Sequence, residues 1–216
     1  MTLLERRRAM MGQKTDPSEY ISDGLVLWMD GINKGNIENA WVDQINGHVF
    51  EGINSPTFGD SYALLDSTQQ QYFRNNTFTP PQSDVGTIEV VYEVNSVNDT
   101  SPIFMSNVSG AIAFLVTDKH ALISIMRNLY WTDFTEVKGS YSCISTRRLL
   151  NGVEMPSTGG DYLYVNNVAY NTIGTRLGRT YFVNGKVFCI RIYDRQLSLT
   201  EQLRNYKADK IRFGLT

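Results

Sequence analysis

Cysteine and histidine, which build disulfide frameworks, zinc sites and nucleophilic triads, are scarce in this chain of 216 residues. A zinc site needs three or four ligands at short spacing, and neither His48 nor His120 has such neighbours. No Gly-x-Ser-x-Gly elbow accompanies these histidines, which argues against nucleophilic hydrolysis. Cys143 and Cys189 both lie in strand-like runs, so we predict two buried free thiols, with a bridge as the alternative that sequence alone leaves open.

Long apolar runs and an excess of positive charge are also missing. No apolar run reaches about eighteen residues, so we expect no membrane insertion. The opening MTLLERRRAMMGQK carries charge where a signal peptide needs an apolar core, so we expect a protein without a signal peptide. We therefore expect a protein that is cytoplasmic as synthesised, with association with a virion or release by lysis as the alternative. A net charge of −2 and a pI near 5.7 give no basic field for phosphates, which excludes nucleic acid as an expected partner.

Residues 1–19 form an arm that precedes the predicted domain. Apolar residues with arginines between them predict a short N-terminal helix that ends at Asp16-Pro17; they are Leu3, Leu4, Met10 and Met11, with Arg6, Arg7 and Arg8. One interpretation is a solvated or loosely docked arm. The other is an attachment segment that supports a homo-oligomer or a particle. Arg-rich openings of this kind are similar to those of phage and prophage structural proteins.

Residues 20–216 are predicted to form one all-β domain. Short runs rich in β-branched and aromatic residues alternate with Asn, Gly, Asp and Ser clusters. We predict strands at residues 25–29, 47–51, 62–65, 71–74, 87–94, 103–105, 111–116, 122–126, 141–145, 147–150, 153–155, 162–165, 172–175 and 187–194. This cadence is typical of a two-sheet antiparallel jelly-roll sandwich.

The last predicted strand follows a turn dipeptide, Asn184-Gly185, whose residues tolerate positive φ. Its alternation places Phe188, Ile190 and Ile192 on one strongly apolar face. The other face carries Val187, Cys189, Arg191 and Tyr193, which is too apolar for open water and predicts partial cover by another element.

A short amphipathic helix over residues 199–207 is the natural cover for that face. Ser198 and Glu201 fit a capping box, in which each side chain bonds a backbone N–H that the first helical turn leaves free. Leu199, Leu203 and Tyr206 fall on one side and are predicted to pack toward the sheet.

The end of the chain resembles the closing signature of laminin G-like domains in the concanavalin A-like lectin–glucanase superfamily. The matching residues are Gly185, Val187, Ile190, Arg191, Ile192, Tyr193, Asp194, Arg195, Leu197, Ser198 and Glu201. GLVLWMDG and the later WVDQINGHVF are similar to the first strand and the Trp-x-Asp loop of that family, which implies structural roles for Trp28 and Trp41. The middle of the chain matches that family only in the spacing of its predicted strands. No ligand-binding position of the family is therefore assigned to this chain.

Glucan-cleaving relatives of this fold set carboxylates on one strand as Glu-x-Asp-x-Glu. The nearest pattern here is Glu89, Val91 and Glu93, which share one face of a strand. Val91 stands where the central Asp would be, and an apolar side chain cannot separate the pKa values of the two flanking glutamates. We therefore predict that both glutamates face solvent and that the chain has no catalytic residue.

We also predict no metal site and no cofactor, with calcium as the alternative. Sandwiches of the resembled family bind calcium through loop carboxylates, and Asp118, Asp133 and Asp161 lie in predicted loops or at strand ends. No Asp-x-Asp-x-Asp spacing is present, which favours ordinary loop turns.

Two segments combine aromatic rings with amide or carboxylate groups, the mixture that binds sugar faces and hydroxyls. The candidate ligand-binding residues are Tyr130, Trp131, Asp133, Asp161, Tyr162 and Tyr164. Alternatively, these aromatic residues roof the core or fill an oligomer interface.

The sequence therefore favours a non-catalytic binding module that recognises carbohydrate or another cell-surface ligand. A phage or prophage structural or adhesion protein is the alternative, and a glycoside hydrolase is the third hypothesis. The fold alone does not choose among them.

Overall fold

Two antiparallel sheets packed against each other make up the body of the protein in its computed structural model. The structure describes residues 19–81, 85–95, 101–106, 113–117, 120–125, 128–133, 138–144, 147–156, 158–160, 171–176, 178 and 180–216. The predicted N-terminal helix and the predicted strand at residues 162–165 lie outside these ranges. The predicted all-β sandwich with a C-terminal helix is confirmed.

The first sheet has eight strands. Its members are β1 (Leu25–Asp30), β4 (Thr57–Phe58), β5 (Ala63–Leu65), β7 (Thr87–Val94), β12 (Lys138–Cys143), β13 (Arg148–Leu150), β14 (Val153–Glu154) and β19 (Gly185–Tyr193). The order is β14-β13-β12-β7-β19-β5-β4, and β1 pairs with the C-terminal part of β19. Strand β7 occupies the bounds predicted from its alternation.

The second sheet has nine strands. Its members are β2 (Ala40–Val42), β3 (Val49–Ile53), β6 (Tyr72–Asn75), β8 (Ser101–Met105), β9 (Ala113–Thr117), β10 (His120–Ile125), β11 (Asn128–Asp133), β15 (Thr158–Gly160) and β16 (Asn171–Ile173). Their order in the sheet is β15-β11-β10-β9-β8-β16-β6-β3-β2. Strands β17 (Thr175–Arg176) and β18 (Thr180–Phe182) form a small ribbon. A 3-10 helix spans Ser67–Gln69, and α1 spans Leu199–Phe213.

The main core lies between the two sheets. Ile88, Val90, Ile190 and Ile192 are buried there, as their alternation predicts. Phe114 of the nine-stranded sheet packs against Tyr141 of the opposite sheet with ring centroids 4.9 Å apart. Trp41 is fully buried in the same core, which confirms its structural role.

A second apolar cluster lies on the outer face of the eight-stranded sheet, beneath α1. Phe213 of the helix packs against Phe188 of β19, with ring centroids 5.7 Å apart, and Trp28 belongs to the same cluster. The predicted cover of this face by the C-terminal helix is confirmed.

A β-bulge in β19 changes which residues reach each core. The register shifts between Val187 and Cys189, so Val187 joins the inter-sheet core and Phe188 faces outward toward α1. The prediction that Phe188 shares a face with Ile190 and Ile192 is therefore wrong. One extra residue in a strand reverses, beyond the bulge, which side chains face the core. The sequence carries no signal for the position of this bulge.

Gly185 does not form the turn that the Asn184-Gly185 pair predicts. Neither residue has a positive φ, and Gly185 is the first residue of β19. A Cβ at this position would lie 2.2 Å from the carbonyl oxygen of Glu93 in β7. The glycine is needed because the two backbones approach closely.

Helix α1 is longer than predicted and buries a different face. The capping box of Ser198 and Glu201 is confirmed, but the helix continues to Phe213 and ends at Gly214 in the left-handed conformation. Leu199 is exposed, whereas the buried positions are Gln202, Asn205, Ala208, Asp209 and Phe213. The predicted apolar packing face is wrong for Leu199, because the sheet under the first part of the helix is polar. Tyr206 is partly buried and packs against the cluster beneath α1.

Both cysteines are buried and unbridged, as predicted. Cys143 lies in the inter-sheet core and Cys189 lies in the cluster beneath α1, on opposite faces of one sheet. Burial raises the pKa of each thiol to about 12. In the described part of the chain, no helix has the length and apolarity that a membrane crossing requires.

Candidate functional site

The first of the two aromatic segments chosen from the sequence lies beside the edge strand of the nine-stranded sheet. Strand β11 carries Tyr130, Trp131 and Asp133, and it pairs with the edge strand β15. Trp131 is the register partner of Thr158, and Tyr130 is the partner of Gly159. We call β11 and β15 the aromatic edge.

The three remaining candidates, Asp161, Tyr162 and Tyr164, lie outside the described residues. Strand β15 ends at Gly160, so the chain enters that segment directly from the aromatic edge. The observed pairing is that of β11 with Thr158–Gly160, about thirty residues further along the chain. The six ligand-binding assignments stay predictions.

The register separates the candidates of β11 between the two faces of the sheet. Tyr130, Ile123 of β10 and Phe114 of β9 are register partners in one row across three neighbouring strands. Phe114 is buried in the inter-sheet core. Tyr130 therefore occupies a position on the inner face. Trp131 and Asp133 occupy positions on the outer face.

A polar cleft lies on the outer face near the opposite end of the same sheet. It encloses about 620 Å³ and is lined by Gly47, His48, Val49, Glu51, Arg74, Asn75, Asn76 and Thr77. Such a volume is within the range of small-molecule sites. We call this feature the polar cleft.

Glu51 and Arg74 sit directly opposite each other on β3 and β6 in the polar cleft. Arg74 Nη2 and Nε lie 3.3 and 3.4 Å from Glu51 Oε2. The two side chains are 66% and 45% exposed, so this ion pair contributes little to stability and both groups can bond a ligand.

Asn75 fixes the end wall of the polar cleft. Its Oδ1 accepts hydrogen bonds from the backbone N–H groups of Thr77 and Phe78, at 2.9 and 2.6 Å. Its Nδ2 donates to the carbonyl oxygen of Val49 at 2.8 Å, which ties β6 to β3. The His48 ring packs against Phe78 with centroids 5.2 Å apart. The exposed groups therefore stand on a rigid frame.

Sequence reasoning did not find the polar cleft. Glu51 and Arg74 are far apart in the chain and neither belongs to a local motif; only the pairing of β3 with β6 aligns them. The alternation of Val49, Glu51 and Ile53 around buried Phe50 would have placed Glu51 outside, but not opposite Arg74.

Glu89, predicted to face solvent, is instead buried between the sheet and α1. Arg191 Nε donates to Glu89 Oε2 at 2.9 Å, and both side chains are almost fully buried. Burial raises the pKa of the Glu89 carboxyl, and the charge of Arg191 opposes this effect. Only Glu93 stays partly exposed, where it pairs with Lys186. The prediction is wrong for Glu89 because a polar helix face covers that part of β7.

Arg191 is the centre of this buried network. Burial alone would lower the pKa of Arg191, but the carboxylates of Asp209 and Glu89 hold it well above its usual value. The guanidinium also stacks on Tyr20, 4.2 Å from the ring centroid. Further members of the network are Ser140, Ser142, Gln202, Asn205, Tyr193 and Arg147. These groups orient α1 on the sheet.

Within the described ranges, no group of three or more histidine, cysteine or acidic side chains could hold a metal ion. Asp118 and Asp161, two of the calcium candidates, lie outside those ranges. The calcium alternative therefore stays a hypothesis.

No protein-family model and no curated protein sequence matches the chain. Solved structures do resemble it. Trypanosoma rangeli sialidase superposes with a TM-score of 0.60 at 11% identity, covering 96% of this chain and 38% of the sialidase chain. A botulinum neurotoxin type C structure gives a TM-score of 0.59 at 10% identity, with 86% and 51% coverage. The chain thus spans about a third to a half of these larger proteins, and the likeness shows a shared β-sandwich fold.

Proposed function

We propose that this protein is a non-catalytic carbohydrate-binding module that uses the outer face of its nine-stranded sheet. The observation that carries the proposal is the pairing of Trp131 with Thr158 at the aromatic edge. The register of β11 with β10 and β9 puts the Trp131 position on the outer face, and the predicted Tyr162 and Tyr164 follow β15 in the sequence. Aromatic rings beside polar groups bind pyranose faces.

The structural neighbours support this class of ligand. One Trypanosoma rangeli sialidase structure is a complex with sialic acid, and botulinum neurotoxin type C interacts with two ganglioside molecules. These ligands belong to those proteins. For this chain they support a carbohydrate as the class of ligand, without identifying the sugar. The laminin G-like resemblance supports the same class of ligand.

A non-catalytic role is favoured by the position of the acidic residues on β7. Most glycoside hydrolases use two carboxylates that face one cleft. Glu89 is sealed beneath α1 by Arg191, whereas Glu93 is partly exposed and pairs with Lys186. These two groups cannot act on one substrate as the acid pair of a hydrolase.

Glycan-array binding of the full chain tests the proposal. We expect the wild type to bind a defined subset of glycans, and Trp131→Ala and Tyr162→Ala to lose this binding while circular dichroism and the melting temperature stay unchanged. Tyr181→Ala is the matched control, because Tyr181 is an exposed aromatic residue of β18, which belongs to the two-stranded ribbon with β17. An array without any bound glycan would refute the proposed function.

Particle attachment through the arm at residues 1–19 is a second hypothesis. The last residue of this segment and the chain just after it are bonded to α1. Arg204 Nε donates to the carbonyl oxygen of Glu19 at 2.9 Å, and Ile21 N donates to Asn205 Oδ1. If the segment drives assembly, light scattering will show self-association of the full chain and a monomer after deletion of residues 1–18. Monomers in both forms would contradict assembly through the arm.

A further inference from the structure

The polar cleft has the chemistry of a second sugar site, separate from the aromatic edge. We propose that it binds a neutral pyranose, with Glu51 accepting hydrogen bonds from sugar hydroxyls and Arg74 donating to sugar oxygens. This inference rests on the proposed function, because it assumes that the protein binds carbohydrate at the outer face of the sheet.

The inventory of polar groups favours a ligand rich in hydroxyls. Carboxylate, guanidinium, amide and hydroxyl groups converge on one cleft, from Glu51, Arg74, Asn76 and Thr77. A carboxylate accepts from two hydroxyls at once, and a guanidinium donates through several N–H groups. Hydrogen bonds to charged groups are the stronger ones in such a site.

The charge of the polar cleft favours a neutral sugar over an acidic one. Glu51 and Arg74 carry opposite charges within 3.3 Å of each other, so their pair adds no net charge. A carboxylated sugar would bond Arg74 only by approaching Glu51, and like charges at short range repel. A neutral pyranose meets no such penalty and replaces a weak exposed ion pair with hydrogen bonds of its own.

The frame of the polar cleft reduces the cost of binding. Asn75 bonds three backbone groups around the cleft, and Asn171 Nδ2 donates to the carbonyl oxygen of Phe78 at 2.7 Å from below. Walls that are already fixed lose little conformational freedom when a ligand binds.

The polar cleft and the Trp131 position of the aromatic edge lie on the same face of one sheet. The strands between β6 and β11 are β16, β8, β9 and β10, so five inter-strand spacings separate them, about 24 Å. Variants at one position therefore leave the other intact, and the two sites can be tested separately.

Amide chemical shifts under titration with three glycosides test the inference. The probes are methyl glucopyranoside and methyl galactopyranoside, which are neutral, and the methyl glycoside of N-acetylneuraminic acid, which carries a carboxylate. We expect at least one neutral probe to shift the amides of Gly47, Asn76 and Thr77 saturably, and the acidic probe to shift them far less at equal concentration.

Two substitutions locate the effect in the polar cleft. Glu51→Gln and Arg74→Gln should each weaken binding of the neutral probe about tenfold, the loss expected for a hydrogen bond to a charged group. Glu51→Gln should not weaken binding of the acidic probe, because it removes the repelling charge. Glu93→Gln is the matched control, since Glu93 forms an ion pair with Lys186 on the other sheet.

The outcomes separate this inference from the proposed function. Unshifted cleft amides with all three probes, or equal binding by wild type, Glu51→Gln and Arg74→Gln, would overturn the polar-cleft site. In that case, glycan-array binding lost in Trp131→Ala would still uphold the proposed function. Preference of the cleft for the acidic probe would also overturn the inference.

Discussion

Arg191 and Asp209 form a bidentate ion pair across the interface between the eight-stranded sheet and α1. Nη1 and Nη2 of the arginine donate to the two carboxylate oxygens at 2.8 and 2.7 Å. Both side chains are 1% exposed. The position of the helix therefore depends on a buried charge that needs its partner.

Replacing Asp209 with asparagine should destabilise the protein by about 3 to 5 kcal/mol, because removal of one partner leaves the other charge buried without full compensation. Urea unfolding of wild type and Asp209→Asn measures this loss. Glu93→Gln removes a partly exposed carboxylate from the same sheet and should cost less than about 1 kcal/mol. Equal losses of unfolding free energy in the two variants would contradict a larger contribution of the buried ion pair to stability.

Gly185→Ala should destabilise the protein by about 1 to 3 kcal/mol, because its Cβ would collide with a backbone carbonyl that cannot move aside. Thermal unfolding measures the change. Gly139→Ala is the control: its Cβ would meet the end of the Leu150 side chain at 3.0 Å, which can rotate away. A loss no larger than that of Gly139→Ala would contradict the close approach of β19 to β7.

Acid should weaken the protein partly through Glu201. Hydrogen bonds from Arg195 lower the pKa of the Glu201 carboxyl from 4.5 to about 2, against a smaller opposing effect of burial. Because folding favours the ionised form, this contribution is full above about pH 4.5 and is lost as the pH falls toward 2. The group is partly exposed, so we expect about 1 kcal/mol.

Unfolding midpoints in urea at several pH values between 7 and 2 check this prediction. Glu201→Gln should lower stability at pH 7 and flatten the decline between pH 4.5 and 2. Glu154→Gln, in an exposed hairpin, is the matched control. A decline as steep in Glu201→Gln as in wild type would contradict the assignment.

The two thiols should be unreactive in the native protein. Burial raises the pKa of Cys143 and Cys189 to about 12, so both are protonated near neutral pH, and the thiolate is the reactive form. We expect no reaction with a thiol-specific chromogenic disulfide in buffer and complete reaction of both thiols in denaturant. Rapid labelling of the folded protein would contradict the burial of Cys143 or Cys189.

Local sequence determined the elements whose signals lie within a few residues. The capping box at Ser198 and Glu201 was predictable because both partners lie in one helical turn. The inter-sheet positions of β7 were predictable because Ile88, Val90 and their neighbours alternate without interruption. Even the turn at Asn151-Gly152 follows from local preference for positive φ, which both residues adopt.

Tertiary structure decided which groups meet across long stretches of chain. The burial of Glu89 depends on Arg191 and on Asp209 of a helix far along the chain, and periodicity alone cannot report a polar interface. The bulge that turns Phe188 outward depends on how β19 pairs with β7 on one side and with β1 and β5 on the other. Likewise, Glu51 meets Arg74 only through strand register, because a single shift of one residue would send either side chain to the opposite face.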